Sequence, residues 1–302
     1  MTSKRSDKPP PGAAPTSLGS IRVDVTGKIG SHGPPVKTGL QTLDNLLAGG
    51  LRLGDFLGIA GPSGIGKTAL ALHLAYLAAR TKTASVFVSA TLDETEIVAR
   101  LAARALFRER PEAKVSYGSI WSGQAFQSPA TRSAASAAVE TVAKKVGPLL
   151  YVKKLDPFAS TTALRHAVAA LWARHERVVM IVDGLDAFHA AGTGTGLEPA
   201  QLNAEHATRL VHVGYELRQI AAEGCAVVAT LGTRDAELVA PAMTLAAELR
   251  AVESGAARLA EHLLLLGTRP LELVVKKNRA GPTGIVPLRF IAGAATFEER
   301  AP

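Results

Sequence analysis

Eight consecutive residues, Gly61-Pro62-Ser63-Gly64-Ile65-Gly66-Lys67-Thr68, fit the spacing G-x-x-x-x-G-K-[ST]. One chemistry explains all of these residue types together: the binding of a nucleotide's phosphates. Gly61, Gly64 and Gly66 let the backbone bend so that successive N–H groups point at phosphate oxygens. Pro62, Ser63 and Ile65 fill the intervening loop positions. An apolar helix that opens at Lys67 adds the partial positive charge of its N-terminus. Lys67 reaches the β- and γ-phosphates, and the Thr68 hydroxyl can ligate Mg²⁺. An ordinary glycine-rich strand-to-helix turn would leave Lys67 and Thr68 without a reason.

A second candidate lies far along the chain. Asp183 ends the hydrophobic run Val178-Val179-Met180-Ile181-Val182. A carboxylate at the C-terminal end of a buried strand stands where open parallel sheets bind ligands. Asp183 is therefore read as the residue that holds magnesium, through water or through Thr68. Asp186 either assists it or faces solvent.

These residues need a scaffold, and the pattern supplies one. From residue 36 onward, strand-like apolar runs alternate with amphipathic helical patterns. Strands are expected at 55–60, 84–89, 149–153, 178–183 and 226–231. Helices are expected at 67–80, 94–107, 161–174 and 201–222. Alternation of this kind implies an α/β fold, with a mostly parallel sheet covered on both faces by helices. Three closely spaced strands at 263–266, 271–276 and 285–290 imply an antiparallel C-terminal edge. Residues 116–133, 190–199 and 233–255 read as loops.

The chain has 302 residues, of which 47% are hydrophobic and 20% charged. That composition is globular, and long enough to need no disulfide or metal staple. The single cysteine, Cys225, excludes a disulfide framework and a multi-cysteine zinc site, and a reducing cytoplasm is expected. No apolar run approaches the roughly 20 residues of a membrane helix. Nor does an apolar stretch follow the basic N-terminus, so no signal peptide is expected. The net charge of +8 invites a nucleic-acid reading, but residues 1–38 hold six basic and two acidic residues. Half the excess therefore sits in residues 1–38, mostly in a Pro/Gly-rich leader (1–35), ahead of one domain (36–298) and a short tail (299–302).

Further residues point to a family. Thr38-Gly-Leu-Gln-Thr-Leu-Asp44 with Gly49-Gly-Leu-Arg-Leu-Gly-Asp55 resembles the opening segment of RecA-like ATPases, among them DnaB, RadA and KaiC. Lys277-Asn-Arg279-Ala-Gly281-Pro282-Thr283-Gly284, followed by an apolar strand and Ala295-Thr296-Phe297-Glu298, resembles the end of the DnaB helicase ATPase domain. The resemblance implies a RecA-like P-loop fold and a homo-oligomeric ring, usually a hexamer, with ATP between subunits. It also implies coupling of ATP hydrolysis to binding of, or movement on, single-stranded DNA. Arg279 would reach a neighbour's ATP as an arginine finger, and Lys277 would contact the γ-phosphate from the same side. The residues alone also allow a basic turn facing solvent.

The chain departs from the family pattern at three points. The strand that in DnaB helicases ends in Ser-Leu-Glu-Met reads Ser89-Ala90-Thr91-Leu92, so Thr91 stands where the catalytic Glu belongs. Threonine is no general base near neutral pH. Asp93 or Glu94 either takes that role or caps the following helix. Gly232 replaces the glutamine that senses the γ-phosphate. A helical domain of the kind that precedes the helicase motor is not evident, so the resemblance is to the motor domain alone. DNA contacts would fall to the 233–255 segment, with Arg234 and Arg250, and to Arg258 beyond it. These departures keep a second reading open: a hydrolysis-deficient, nucleotide-gated regulatory or scaffold protein.

Overall fold

The computed structural model describes residue 17 and residues 33–191, 205–252 and 267–300. Elements follow one another as α1 (Gln41–Leu46), β1 (Phe56–Ala60), α2 (Lys67–Arg80), β2 (Ala84–Ser89) and α3 (Glu94–Glu109). Then come α4 (Tyr117–Trp121), α5 (Pro129–Val146), β3 (Leu150–Lys154), α6 (Thr161–Trp172), β4 (Val178–Asp183) and α7 (His206–Ala222). The chain continues with β5 (Cys225–Leu231), α8 (Thr233–Val239), β6 (Leu245–Ala251), β7 (Thr268–Asn278), β8 (Gly284–Ile291) and β9 (Thr296–Glu299).

All nine strands form one sheet in the order β3-β2-β4-β5-β1-β6-β7-β8-β9. The first six are mutually parallel and the last three close the sheet in antiparallel fashion. Central strands alternate their contacts with period two, as a sheet buried on both faces requires. Phe87, Val179, Ile181 and Val228 pack with α2, α3 and α5 on one face. Val86, Val88, Met180, Val182 and Val227 pack with α6, α7 and α8 on the other. Among the described residues, no helix is long and apolar enough to cross a membrane.

Register decides where chemistry can occur. Ser89 pairs with Asp183, and Ala60 with both Leu231 and Glu248. The ends of β1, β2, β4 and β5 therefore line a single sheet edge. Leu245 at the start of β6 pairs with Asn278 at the end of β7. The C-terminal motif consequently lies at the opposite edge. Five residues of β1 separate the two, a span of roughly 15 Å at about 3.3 Å per residue.

The expected alternation holds, with two corrections and one strand beyond reach. Residues 116–133, expected as a loop, contain α4, the 3₁₀ turn Gln124–Phe126 and the start of α5. Ser116 and Ser128, which look loop-like, are N-caps that accept from the N–H groups of Ser119 and Thr131. Residues 233–255, also expected as a loop, contain α8 and β6. The expected strand 263–266, and residues 201–204 of the expected long helix, lie outside the described residues.

Candidate functional site

Between β1 and α2 the backbone turns sharply. Gly61, Gly64 and Gly66 have φ of 157°, 74° and 112°. The value at Gly66, the residue before α2, lies in the left-handed region that favours glycine. A Cβ at Gly66 would come within 3.1 Å of Phe297 and 3.3 Å of Phe290. Those two rings stack at 4.7 Å between centroids and form the floor of the loop. At Gly61 a Cβ would meet the Leu249 carbonyl at 2.8 Å, so this glycine permits a close backbone approach from β6. No side chain caps the first turn of α2. Its N–H groups are thus left to an anionic acceptor of the kind that binds at helix N-termini.

Lys67 Nζ donates to the carbonyls of Gly61 at 2.8 Å and Pro62 at 2.9 Å, so the ammonium folds over the loop. Burial lowers its pKa, opposed by the negative charges of Asp183 and Asp186. Thr68 begins the next position of the helix, and its hydroxyl donates to Asp183 Oδ1 at 2.9 Å. The Thr230 hydroxyl donates to the same oxygen at 2.8 Å and accepts from the Gly184 N–H at 2.8 Å. Asp183 is 6% exposed. Burial raises its pKa, against the hydrogen bonds from Thr230 and Thr68 and the charges of Arg100 and Lys67. Asp186 is exposed in the 3₁₀ turn Leu185–Ala187.

A hydroxyl and a carboxylate oxygen in contact, beside a cationic loop, form a donor set suited to Mg²⁺. That ion binds through one or two protein oxygens and takes its remaining ligands from phosphates and water. Among the described residues no group of three His, Cys, Asp or Glu side chains could hold a metal. Thr68 and Asp183 are the residues that would hold it here.

At the end of β2, Thr91 is exposed, and its hydroxyl lies 3.3 Å from Ser89 Oγ. Asp93 is the N-cap of α3, with Oδ1 accepting from the Glu96 N–H at 2.8 Å. Glu94 is exposed. Asn caps as well as Asp does, so Asp93→Asn should leave the urea midpoint unchanged, whereas Asp93→Ala should cost about 1 kcal/mol. If capping is its whole role, Asp93→Asn also leaves nucleotide turnover unchanged.

The structure adds a polar cluster that the sequence reading did not single out. Glu96 Oε1 accepts from Arg100 Nη2 and from the Tyr117 hydroxyl, each at 2.8 Å. The Arg100 guanidinium stacks 4.5 Å from the Tyr117 ring centroid. Its charge bears on Asp183, so the cluster belongs to the same electrostatic neighbourhood. The i,i+4 spacing of Glu96 and Arg100 was a legible signal. Their tyrosine partner, on another helix, was not.

Gly232 caps the start of α8, where a Cβ would come 3.0 Å from Asp235 Oδ2. Asp235 Oδ1 lies 2.9 Å from His206 Nε2, and Arg209 Nη2 lies 3.1 Å from His206 Nδ1. The space that a side chain at 232 would occupy therefore borders a pair linking α7 to α8. Arg234 is exposed on α8, and Arg250 on β6 is paired with Glu272 at 2.6 Å. Arg258 lies outside the described residues.

The C-terminal motif forms the turn from β7 to β8 at the far edge. Asn278 braces it, with Nδ2 donating to Leu46 O at 2.8 Å and Pro282 O at 3.0 Å. A Cβ at Gly281 would come 2.7 Å from Leu46 O, which requires glycine there. The Arg279 side chain is exposed, and its backbone N–H donates to Thr244 O at 3.2 Å. Lys277 Nζ donates to Ala240 O at 2.6 Å. The structure thus brings Lys67, Thr68 and Asp183 together and places Lys277 and Arg279 away from them.

Comparison with known proteins agrees with this fold. No curated protein matches the chain. A solved ATPase domain superposes with a TM-score of 0.73 at 17% identity, covering 95% of this chain and 100% of that one. A DnaB-like replicative helicase, described with its interactions with primase, superposes with a TM-score of 0.70 at 16% identity. That match covers 94% of this chain and 67% of the other. At such identities the likeness is one of fold, and the fold is RecA-like. The sequence profile of the DnaB-like helicase C terminal domain matches residues 35–299, almost the whole of the sheet and both helical layers. The chain belongs to the family of DnaB-like helicase C-terminal domains.

Proposed function

We propose that this chain binds ATP with Mg²⁺ at the 61–68 loop and hydrolyses it at contacts between copies in a ring. The turnover would serve movement on single-stranded DNA. The observation that carries the reading is the 2.9 Å contact of Thr68 with Asp183 beside Lys67. A bound magnesium ion would neutralise phosphate charge and orient the terminal phosphate. The chain's own residues do the rest. The backbone N–H groups of the loop and of the first turn of α2 hold phosphate oxygens. Lys67 supplies a fixed cation. Asp183 and Thr68 set the position of the ion, and Thr230 orients Asp183.

Lys277 and Arg279 lie roughly 15 Å from their own loop, too far to serve it. A neighbouring copy can bring its loop to them, and the site is complete only between copies. Glu94 is the carboxylate left to polarise water once Asp93 is engaged as a cap.

Thr91 and Gly232 favour a second reading, in which nucleotide gates assembly with little or no turnover. Steady-state ATP turnover, with and without single-stranded DNA, separates the two. Turnover stimulated by DNA supports the motor. Tight ATP binding without turnover rejects the motor and leaves nucleotide-gated assembly.

A further inference from the structure

The edge opposite the phosphate loop carries more positive charge than the C-terminal motif accounts for. Arg218 reaches it from α7, where Nη1 donates to the Gly54 carbonyl at 2.5 Å. Gly54 lies just ahead of β1, and its N–H donates to Cys225 O at the start of β5 at 2.8 Å. Lys277 and Arg279 reach the same edge from the end of β7. The Arg279 N–H is bonded to Thr244 O, and the Thr244 N–H to Phe56 O at 3.0 Å. Three basic side chains from two distant segments therefore gather around the first residues of β1, β5 and β6. They are close enough that Arg279 and Arg218, after burial, both lower the pKa of Lys277.

Among the described residues, no carboxylate lies within 4.0 Å of the cationic nitrogens of any of the three. Asp55 is the negative group whose charge Arg218 feels. It offsets part of one of the three charges, and it also accepts from the Arg52 N–H at 2.8 Å and from the Thr244 hydroxyl at 3.4 Å. Cations crowded together in this way repel one another in a lone chain, and a polyanion placed among them reverses the sign of that energy. Among the described residues the edge has no such polyanion, because the chain's own phosphate loop sits at the other end of β1.

We propose that Arg218, Lys277 and Arg279 form one receptor for the terminal phosphates of a nucleotide held by the loop of a second copy, with Arg218 as its third cation. The proposal rests on the ATP reading given above. Arg218 uses one N–H on Gly54, and a guanidinium carries five, so the anchored side chain retains donors for an anion. Its contribution would come in trans, from the copy that does not hold the nucleotide.

Mixing two inactive forms tests this directly. The donor copy keeps its loop and loses its edge through Lys277→Ala and Arg279→Ala. The edge copy keeps its edge and loses its loop through Lys67→Ala. A mixture regains turnover where a donor loop meets an intact edge. Arg218→Gln in the edge copy is expected to cut the regained turnover roughly tenfold or more, the scale of a charged hydrogen bond. Arg218→Lys restores part of it. The same Arg218→Gln change in the donor copy, whose edge is already disabled, brings no further loss. Equal loss from either placement means that Arg218 only supports the fold, and no loss from either means that it touches no phosphate. Each result overturns the receptor while leaving the ATP reading intact. If the wild-type chain binds ATP without turnover, sedimentation velocity with Mg²⁺ and ATPγS reads the same mixtures as association, with the same asymmetry expected. If the unsubstituted mixture regains neither turnover nor association, the ATP reading fails and the receptor fails with it.

Discussion

Lys67→Ala abolishes nucleotide turnover, with an expected loss of roughly 10²–10³-fold or more, the scale for removing one preorganised charge-stabilising donor. The ammonium is held over the loop by the carbonyls of Gly61 and Pro62, so little reorganisation separates its present position from a phosphate contact. Alanine also removes a cation that favours the ionised form of Asp183, already disfavoured by burial. ATP binding by the lone chain should therefore weaken together with turnover. The fold should survive, because Lys67 is not a core residue and the first turn of α2 tolerates alanine. Isothermal titration with ATP and Mg²⁺, beside a far-UV circular dichroism melt, checks both halves. Unchanged ATP affinity in a folded variant would remove the 61–68 loop from the nucleotide site.

Arg279→Ala gives the second large effect with a different signature. An arginine finger contributes roughly 10³–10⁵ in rate, and a loss on that scale is expected in turnover. Binding of ATP to the lone chain should not change, because Arg279 lies at the opposite sheet edge from the loop. Nor should stability fall much. The side chain is exposed, and the hydrogen bond to Thr244 comes from the backbone. Lys67→Ala thus weakens binding and turnover together, whereas Arg279→Ala separates them. Turnover within a few-fold of wild type in Arg279→Ala would reduce this motif to a braced surface turn.

The parts of the site that were legible in the sequence are those governed by local rules. The glycine spacing, the adjacent lysine and threonine, and an aspartate closing an apolar run each follow from backbone geometry within a few residues. The parts that were not legible arise where elements meet. Ser116 and Ser128 look like loop residues until the helices they cap are seen. In β6, Ala, Glu and Arg have little strand preference, and pairing with β1 and β7 overrides it. The contact of Thr230 with Asp183 joins neighbouring strands, and that of His206 with Asp235 joins two helices separated in sequence by a strand. Arg218 offers no motif at all, and only the register of β6 with β7 brings the end of β7 to the edge that Arg218 reaches.

The aromatic floor beneath Gly66 has a consequence for how the protein is made. Phe290 and Phe297 belong to the last two strands, whereas the loop they support is near the start of the domain. During synthesis a domain folds as a unit once its segments have left the ribosome. The loop must emerge long before its floor exists, and β1 must wait for β5 and β6 before it has neighbours on either side. A nascent chain therefore exposes the glycine-rich loop without its aromatic floor until β8 and β9 have emerged. Chains truncated before Phe297 should be protease-sensitive at this loop, so β8 and β9 complete the site that the early glycines begin.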